Sequence, residues 1–198
     1  MTGIGYNCGS TLGITNQKWF VATRAAATTV NSAAGGRINC RLARFRNSFA
    51  RRIHFSVRRG IGHFGAALVT CACVNPQKAL LIGFVAGIIA LAVNDFIQGP
   101  WCRTDDPAVG AIGVHVAAAI WGLITVGLFA DASLPGIDVR DGLFRGGGWE
   151  LLVLQLLGIV VIVAWSIAPV TPCFHVVGVL LGGDWRNPRL GLARARRM

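Results

Sequence analysis

The chain has 198 residues, of which 54% are apolar and only 14% are charged, and its formal net charge at pH 7 is +11. Because a soluble domain carries about 25% charged residues, this composition argues against an ordinary soluble protein and for one embedded in a membrane. The basic excess then belongs either to the membrane surface or to a nucleic-acid partner.

Five segments are predicted to cross a bilayer as helices, and they are residues 19–36, 61–74, 79–97, 108–130 and 151–168. At about 1.5 Å per residue, the fourth is about 34 Å long, enough for a hydrocarbon core of about 30 Å. The first segment contains Arg24, and the second is short. Pro169 and Pro172 predict that the last helix is interrupted, because proline removes a helical hydrogen bond. We therefore expect an all-α, polytopic membrane helix bundle.

The basic residues cluster on one side of these predicted spans. Residues 37–60 hold eight arginines and the C-terminal tail holds five, whereas residues 131–150 hold only Arg140 and Arg145. Phenylalanines interleaved with the first cluster also fit an RNA-binding arm, which is the competing interpretation. The positive-inside rule and attraction to anionic lipid already explain the charge. We predict that both clusters face the cytoplasm and that the chain has no nucleic-acid partner.

His115 is the one ionisable residue in residues 108–130. At helical spacing it shares a face with four small residues, namely Ala111, Ala118, Ala119 and Gly122. Such a face fits close packing on another helix or the border of a narrow channel. Two hypotheses remain open: His115 hydrogen-bonds a neighbouring helix, or it lines a path for a small polar species.

Other chemistry finds little support in the sequence. The six cysteines, including Cys71 and Cys73, show no four-ligand metal spacing. A nucleophile paired with a base and a glycine-rich phosphate loop are also missing. We therefore expect neither an enzyme nor a cofactor.

Four blocks of sequence together resemble a known family. They are YNCGSTLGITNQKWFVATRAAATTVNSAAGG (6–36), NPQKALLIGFVAGIIA (75–90), DDPAVGAIGVHVAAAIWGLITVGLFA (105–130) and GLFRGGGWELLVLQLLGIVVIVAWS (142–166). In this order they resemble the C-terminal half of the ammonium transporters (Amt/Rh/MEP), particularly the animal Amt-like members.

The resemblance implies a function and an architecture. Members move ammonium or ammonia across the plasma membrane as homotrimers, and each subunit forms a pore from two inverted five-helix repeats and a last helix. The chain matches the end of the sixth helix and the five helices that follow, which implies a fragment. Residues 1–182 would be a partial membrane domain and residues 183–198 a basic cytoplasmic tail. The alternative is a non-conducting, truncated or degenerate protein that at most associates with full-length subunits.

The resemblance also implies roles for single residues. His115 matches one of two histidines that line the dry centre of the pore. Tyr6 matches an aromatic gate that holds the arriving ion by cation–π attraction. Asp106 matches an acid at the start of the histidine helix, where it would cap free amides. Asn7 and Trp121 match structural positions near the pore.

The chain departs from the family at two places that bear on His115 and on the first span. Seven residues separate Pro107 from His115, where the family has six. One extra helical residue turns a side chain by about 100°, unless a bulge or the first turn absorbs it. Arginines after Gly36 replace apolar residues, which predicts a shortened first span.

Overall fold

The computed structural model describes residues 2–16, 18–46, 72–98 and 112–180, and every regular element in these ranges is helical. Its α-helices are α1 (Thr2–Gly9), α2 (Lys18–Arg46), α3 (Pro76–Gln98), α4 (Ala118–Phe129) and α5 (Glu150–Leu180). A π-helical turn, Ile112–Ala117, leads directly into α4. One 3₁₀ turn, Leu143–Arg145, lies between α4 and α5.

Helices α2 and α3 form the closest contact, because small residues let their backbones approach. A Cβ atom on Gly35 would overlap the carbonyl oxygen of Leu80, and one on Gly83 would overlap the carbonyl oxygen of Ser32. Further along, a Cβ on Gly87 would lie 3.2 Å from the Cα of Gly36. Contacting positions advance together along both helices, so the two run parallel. Small residues four apart are the usual means of close helix packing in membranes.

Helix α4 packs against α3 in the opposite direction. Ala118, which is fully buried, lies with Ile82 and Ala86 in one apolar cluster. Val114 of the π-helical turn packs against Ala90, nearer the C-terminal end of α3. Trp121 is half-buried and donates its indole N–H to the carbonyl of Ile82 at 3.2 Å. The turn and α4 therefore share one buried face along α3.

The connection between α4 and α5 is held by polar contacts. Asp131 is 4% exposed, and its carboxylate accepts hydrogen bonds from the Ser133 hydroxyl at 2.5 Å and from the Arg145 guanidinium at 2.7 Å. The hydrogen bond from the Ser133 hydroxyl, aided by the Ser133 amide and by Arg145, lowers the pKa of Asp131 although burial opposes the shift. The backbone amide of Asp131 donates to the carbonyl of Cys73 at 3.0 Å. This connection is thereby fixed to the residues just before α3.

Within the described residues, three helical segments are long and apolar enough to cross a membrane: Pro76–Asn94, Ile112–Phe129 and Glu150–Leu180. Predicted spans 79–97 and 151–168 fall within α3 and α5, and the described part of span 108–130 is helical almost throughout. Almost all of span 61–74 and the whole 183–198 tail lie outside the described residues. The predicted all-α membrane helix bundle is confirmed.

The last helix differs from the prediction that Pro169 and Pro172 interrupt it. Helix α5 continues through Pro169 and Pro172 to Leu180. Each proline removes only one helical hydrogen bond, and helices suited to a membrane tolerate this. Helix α2 continues past Gly36 to Arg46, because arginine is a good helix former, and the shortened first membrane span stays a prediction.

The described chain divides into two compact units, up to Leu156 and from Leu157 onwards. In the second unit, nearly every residue from Leu157 to Leu180 is exposed, and most of these side chains are apolar. An apolar helix surface of this length suits a lipid environment or a protein partner.

Candidate functional site

His115 lies in the π-helical turn, with its side chain exposed. Among the described residues it has no hydrogen-bond partner. Its neighbours Gly113 and Val114 are buried against α3 instead. The described part of the chain therefore offers no support for a histidine tied to a neighbouring helix.

The residues that share a helix face with His115 differ from the set that the sequence predicted. Ala118 is buried against α3 and Gly122 is also buried, whereas Ala119 and Val116 are exposed together with His115. A regular α-helix places residues three or four apart on one face, and the π-helical turn breaks this relation between His115 and α4. Ala111 lies outside the described residues.

Tyr6 and Asn7 lie next to each other on α1 and point to different surroundings. The Tyr6 side chain is largely exposed, at 71% for the residue. The Asn7 amide donates to the Thr29 hydroxyl at 2.8 Å, and Thr29 itself donates to the carbonyl of Ala25 at 2.6 Å. Asn7 thus attaches α1 to the buried side of α2 and leaves the Tyr6 ring open to its surroundings.

An open pocket of about 340 Å³ lies beside α1, between α2, the residues before α3 and the connection after α4. Its polar lining includes Asn7, Ser10, Lys18 and Asp138. These residues and Thr11 offer hydroxyls, an amide, one cation and one carboxylate in a lining that is otherwise largely apolar. Sequence reasoning did not identify this pocket, since its walls come from segments far apart in the chain.

Arg24 joins two walls of this pocket. Its guanidinium donates to the carbonyl of Ala72 at 3.2 Å and to the carbonyl of Pro135 at 2.7 Å. Ala72 lines the pocket, and Pro135 directly precedes the lining residue Gly136. The presence of a charge inside the first predicted span was the one sequence signal for this arrangement.

The remaining predicted site residues have different positions. Trp121 is half-buried and bonded to α3 through its indole N–H. Asp106 lies outside the described residues. Val114, which precedes His115, packs on α3. Tyr6 lies on α1, which packs on α2. Within the described residues, no group of three His, Cys, Asp or Glu side chains is placed to hold a metal ion.

The chain is similar to known transporters over most of its length. It is 32% identical to "Ammonium transporter 3" of Dictyostelium discoideum over 82% of this chain and 38% of that protein. It is 30% identical to "Ammonium transporter Amt2" of Archaeoglobus fulgidus over 90% of this chain and 37% of that protein. The chain thus spans well under half the length of these curated relatives.

A solved structure described as "Sensor Amt Protein" shares the fold, with a TM-score of 0.65 at 24% identity, over 89% of this chain and 40% of that one. A family model described as "Ammonium Transporter Family" matches residues 3–186. Since this match covers nearly the whole chain and agrees with the apolar helices, the resemblance seen in the sequence is confirmed, and the chain is a membrane protein that belongs to the Ammonium Transporter Family.

Proposed function

We propose that the chain forms part of a channel-like transporter that moves ammonium or ammonia across the plasma membrane. The observation that carries the proposal is His115, an exposed imidazole without a bonding partner among the described residues, in an apolar helix of a chain from this family. The named relatives support ammonium as the substrate. The chemistry is passage rather than covalent change, so no enzymatic role is proposed.

His115 would act as a hydrogen-bonding station in a dry passage. An imidazole has one ring nitrogen that donates and one that accepts when it is neutral, and ammonia also donates and accepts. Moving a bare cation through an apolar passage costs far more than moving a neutral molecule, because the charge loses its hydration. We therefore propose that ammonia passes His115 and that its proton is handled elsewhere.

The other predicted residues take supporting roles in this proposal. Tyr6, with its ring exposed on α1, would attract the ammonium cation by cation–π interaction. Asn7 and Trp121 would hold α1 and α4 through their bonds to Thr29 and to the carbonyl of Ile82. Asp106 would cap the helix that carries His115. Homotrimer formation is part of the proposal, and residues corresponding to the unmatched part of the relatives would complete the pathway.

The proposed topology places the arginine-rich end of α2 in the cytoplasm and residues 131–150 on the other side. Arg24, near the start of α2, bonds to Ala72 before α3 and to Pro135 after α4, which groups these three points at one end of the bundle. Arg37 lies further along α2, away from that end. The positive-inside rule then assigns the arginine-rich end to the cytoplasm, together with residues 183–198.

The test is a chimera in which this chain replaces the matching part of the Dictyostelium relative, expressed in yeast that lacks ammonium uptake. We expect the chimera to restore growth on ammonium, and His115→Ala to change the uptake rate or the selectivity for ammonium over potassium at normal protein yield. His175→Ala, which alters a histidine on α5, is the matched control and should leave uptake unchanged.

Two outcomes would contradict the proposal. A chimera that inserts normally and carries no ammonium would favour the non-conducting alternative. A His115→Ala chimera with normal flux and selectivity, and with stability lowered by about 0.6 to 2 kcal/mol, would make His115 a structural residue.

A further inference from the structure

The π-helical turn changes which residues of this helix face α3. Gly113 and Ala118 are both buried on α3 although they are five positions apart in the sequence. At about 100° per residue, a regular α-helix would place them about 140° apart. A π-helical turn closes over five residues rather than four and so brings both onto one face.

The same change determines the direction of His115. In a regular α-helix His115 would lie about 60° from Ala118, whereas Ala117 would lie about 100° from it. His115 would then be the more buried of the two. In the structure the order is reversed, because His115 is exposed and Ala117 is half-buried.

A close backbone contact holds the turn in this register. A Cβ atom on Gly113 would lie 2.7 Å from the carbonyl oxygen of Ala90 and 3.5 Å from the Cβ of Asn94. Ala90 is fully buried, and Asn94 is 2% exposed. Neither the backbone of Ala90 nor the buried Asn94 can move away easily, so only glycine fits at position 113.

We propose that Gly113 is a positioning residue for His115: its contact with Ala90 selects the π-helical register, and that register turns the imidazole away from α3 to the open face of the helix. Any larger residue at position 113 has to leave the α3 face. In the α-helical register, position 113 turns away from α3 while Ala118 stays buried. Alanine at position 113 also favours this register because of its higher helix propensity. The purpose of this orientation rests on the proposed function, whereas the orientation itself does not.

The test compares nitroxide spin labels at positions 115 and 117, attached to single cysteines in a cysteine-free full chain in detergent micelles. In the otherwise native chain, we expect the label at 115 to be more mobile than the label at 117. In Gly113→Ala the order should reverse, while a label at exposed Val116 should remain mobile. Gly158→Ala is the control, since a Cβ there meets no atom within 4 Å and the order should stay native.

Each result decides the matter. If the label at 117 is the more mobile one in the native chain, the π-helical register is absent and the proposal fails, whether or not Gly113→Ala folds. If Gly113→Ala keeps the native order, or mobilises all three labels alike, Gly113 does not set the register. These results are independent of ammonium uptake, so they separate failure of the positioning role from failure of the proposed function.

Discussion

The α2–α3 contact and the connection between α4 and α5 lie in the same compact unit and are held together by different forces. The helix contact is built by Ser32, Gly35, Gly83 and Gly87, whose small size brings two backbones together. The connection is built around buried Asp131, whose carboxylate accepts hydrogen bonds from Ser133 and Arg145. One region is stabilised mainly by packing, and the other mainly by charge.

Because the two regions are stabilised differently, they are sensitive to different changes. Packing between backbones is insensitive to pH, but it cannot accommodate an added methyl group. A carboxylate that accepts several hydrogen bonds tolerates small changes in the shape of its surroundings. Its contribution to the stability of the fold, however, requires that it remain ionised. A substitution that adds volume should therefore destabilise the α2–α3 contact, and acid should destabilise the connection between α4 and α5.

The largest effect is expected for Gly83→Ala. The new Cβ would overlap the Ser32 carbonyl and hydroxyl, so α2 and α3 must separate along their length. Overpacking of this kind costs about 3 kcal/mol at the upper end of its usual range. Denaturant unfolding of the chain in micelles, followed by circular dichroism, measures the loss of stability.

Gly158→Ala is the matched control for this prediction, since its Cβ would meet no neighbouring atom within 4 Å. It should stabilise helix α5 by up to about 1 kcal/mol, because alanine has the higher helix propensity. Equal stability changes in the two variants would show that α2 and α3 do not touch as closely as the structure indicates.

Acid should loosen the connection after α4 and leave the α2–α3 contact intact. The pKa of Asp131 is lowered in the folded chain, mainly by the Ser133 hydroxyl, so its carboxylate stabilises the fold above the unfolded pKa of about 3.9. This contribution is lost as the pH falls through the lowered pKa. We expect a loss of about 1.5 kcal/mol, which is the scale of a hydrogen bond to a charged group.

Hydrogen exchange measured by mass spectrometry, corrected for intrinsic rates, can follow both regions in one sample. Peptides from residues 130–149 should lose protection below pH 4, and peptides from α2 and α3 should not. Asp131→Asn, which cannot ionise, should remove this pH dependence. The exposed Arg140–Glu150 pair should contribute little, since such pairs are worth little in water. A parallel loss of protection in both regions would contradict the comparison.

The sequence was sufficient for the apolar helices and for the family. Long uncharged runs predict α3, α4 and α5, because a helix that satisfies its own backbone is one of the few structures suited to a membrane. The four sequence blocks in order predicted the family that the comparison confirmed. Local propensity misplaced the end of α5, because Pro169 and Pro172 do not stop a long helix here.

The surroundings of His115 were harder to predict. The sequence shows His115 and one extra residue between Pro107 and His115 relative to the family. A bulge in the helix was one of the predicted ways to accommodate that residue. The choice between an α-helical and a π-helical register depends on a backbone contact between Gly113 and Ala90, which are far apart in the chain. No local pattern records such a contact. Arg24 posed the same problem, since its partners Ala72 and Pro135 become neighbours only after folding.

The smallest effect is expected for Arg24→Gln, which tests the link between the two regions. Arg24 lies on α2 and donates to the carbonyl of Pro135 in the connection, so its loss should weaken the attachment of one region to the other without disturbing either interior. We expect the protection of residues 131–142 against hydrogen exchange to fall about fivefold, equivalent to about 1 kcal/mol for the two hydrogen bonds of Arg24, one half-buried and one exposed. Arg140→Gln, which removes an exposed arginine from the same connection, is the control and should leave protection unchanged. If Arg24→Gln leaves residues 131–142 fully protected, or reduces protection equally in α2 and α3, then Arg24 is not the link between the two regions.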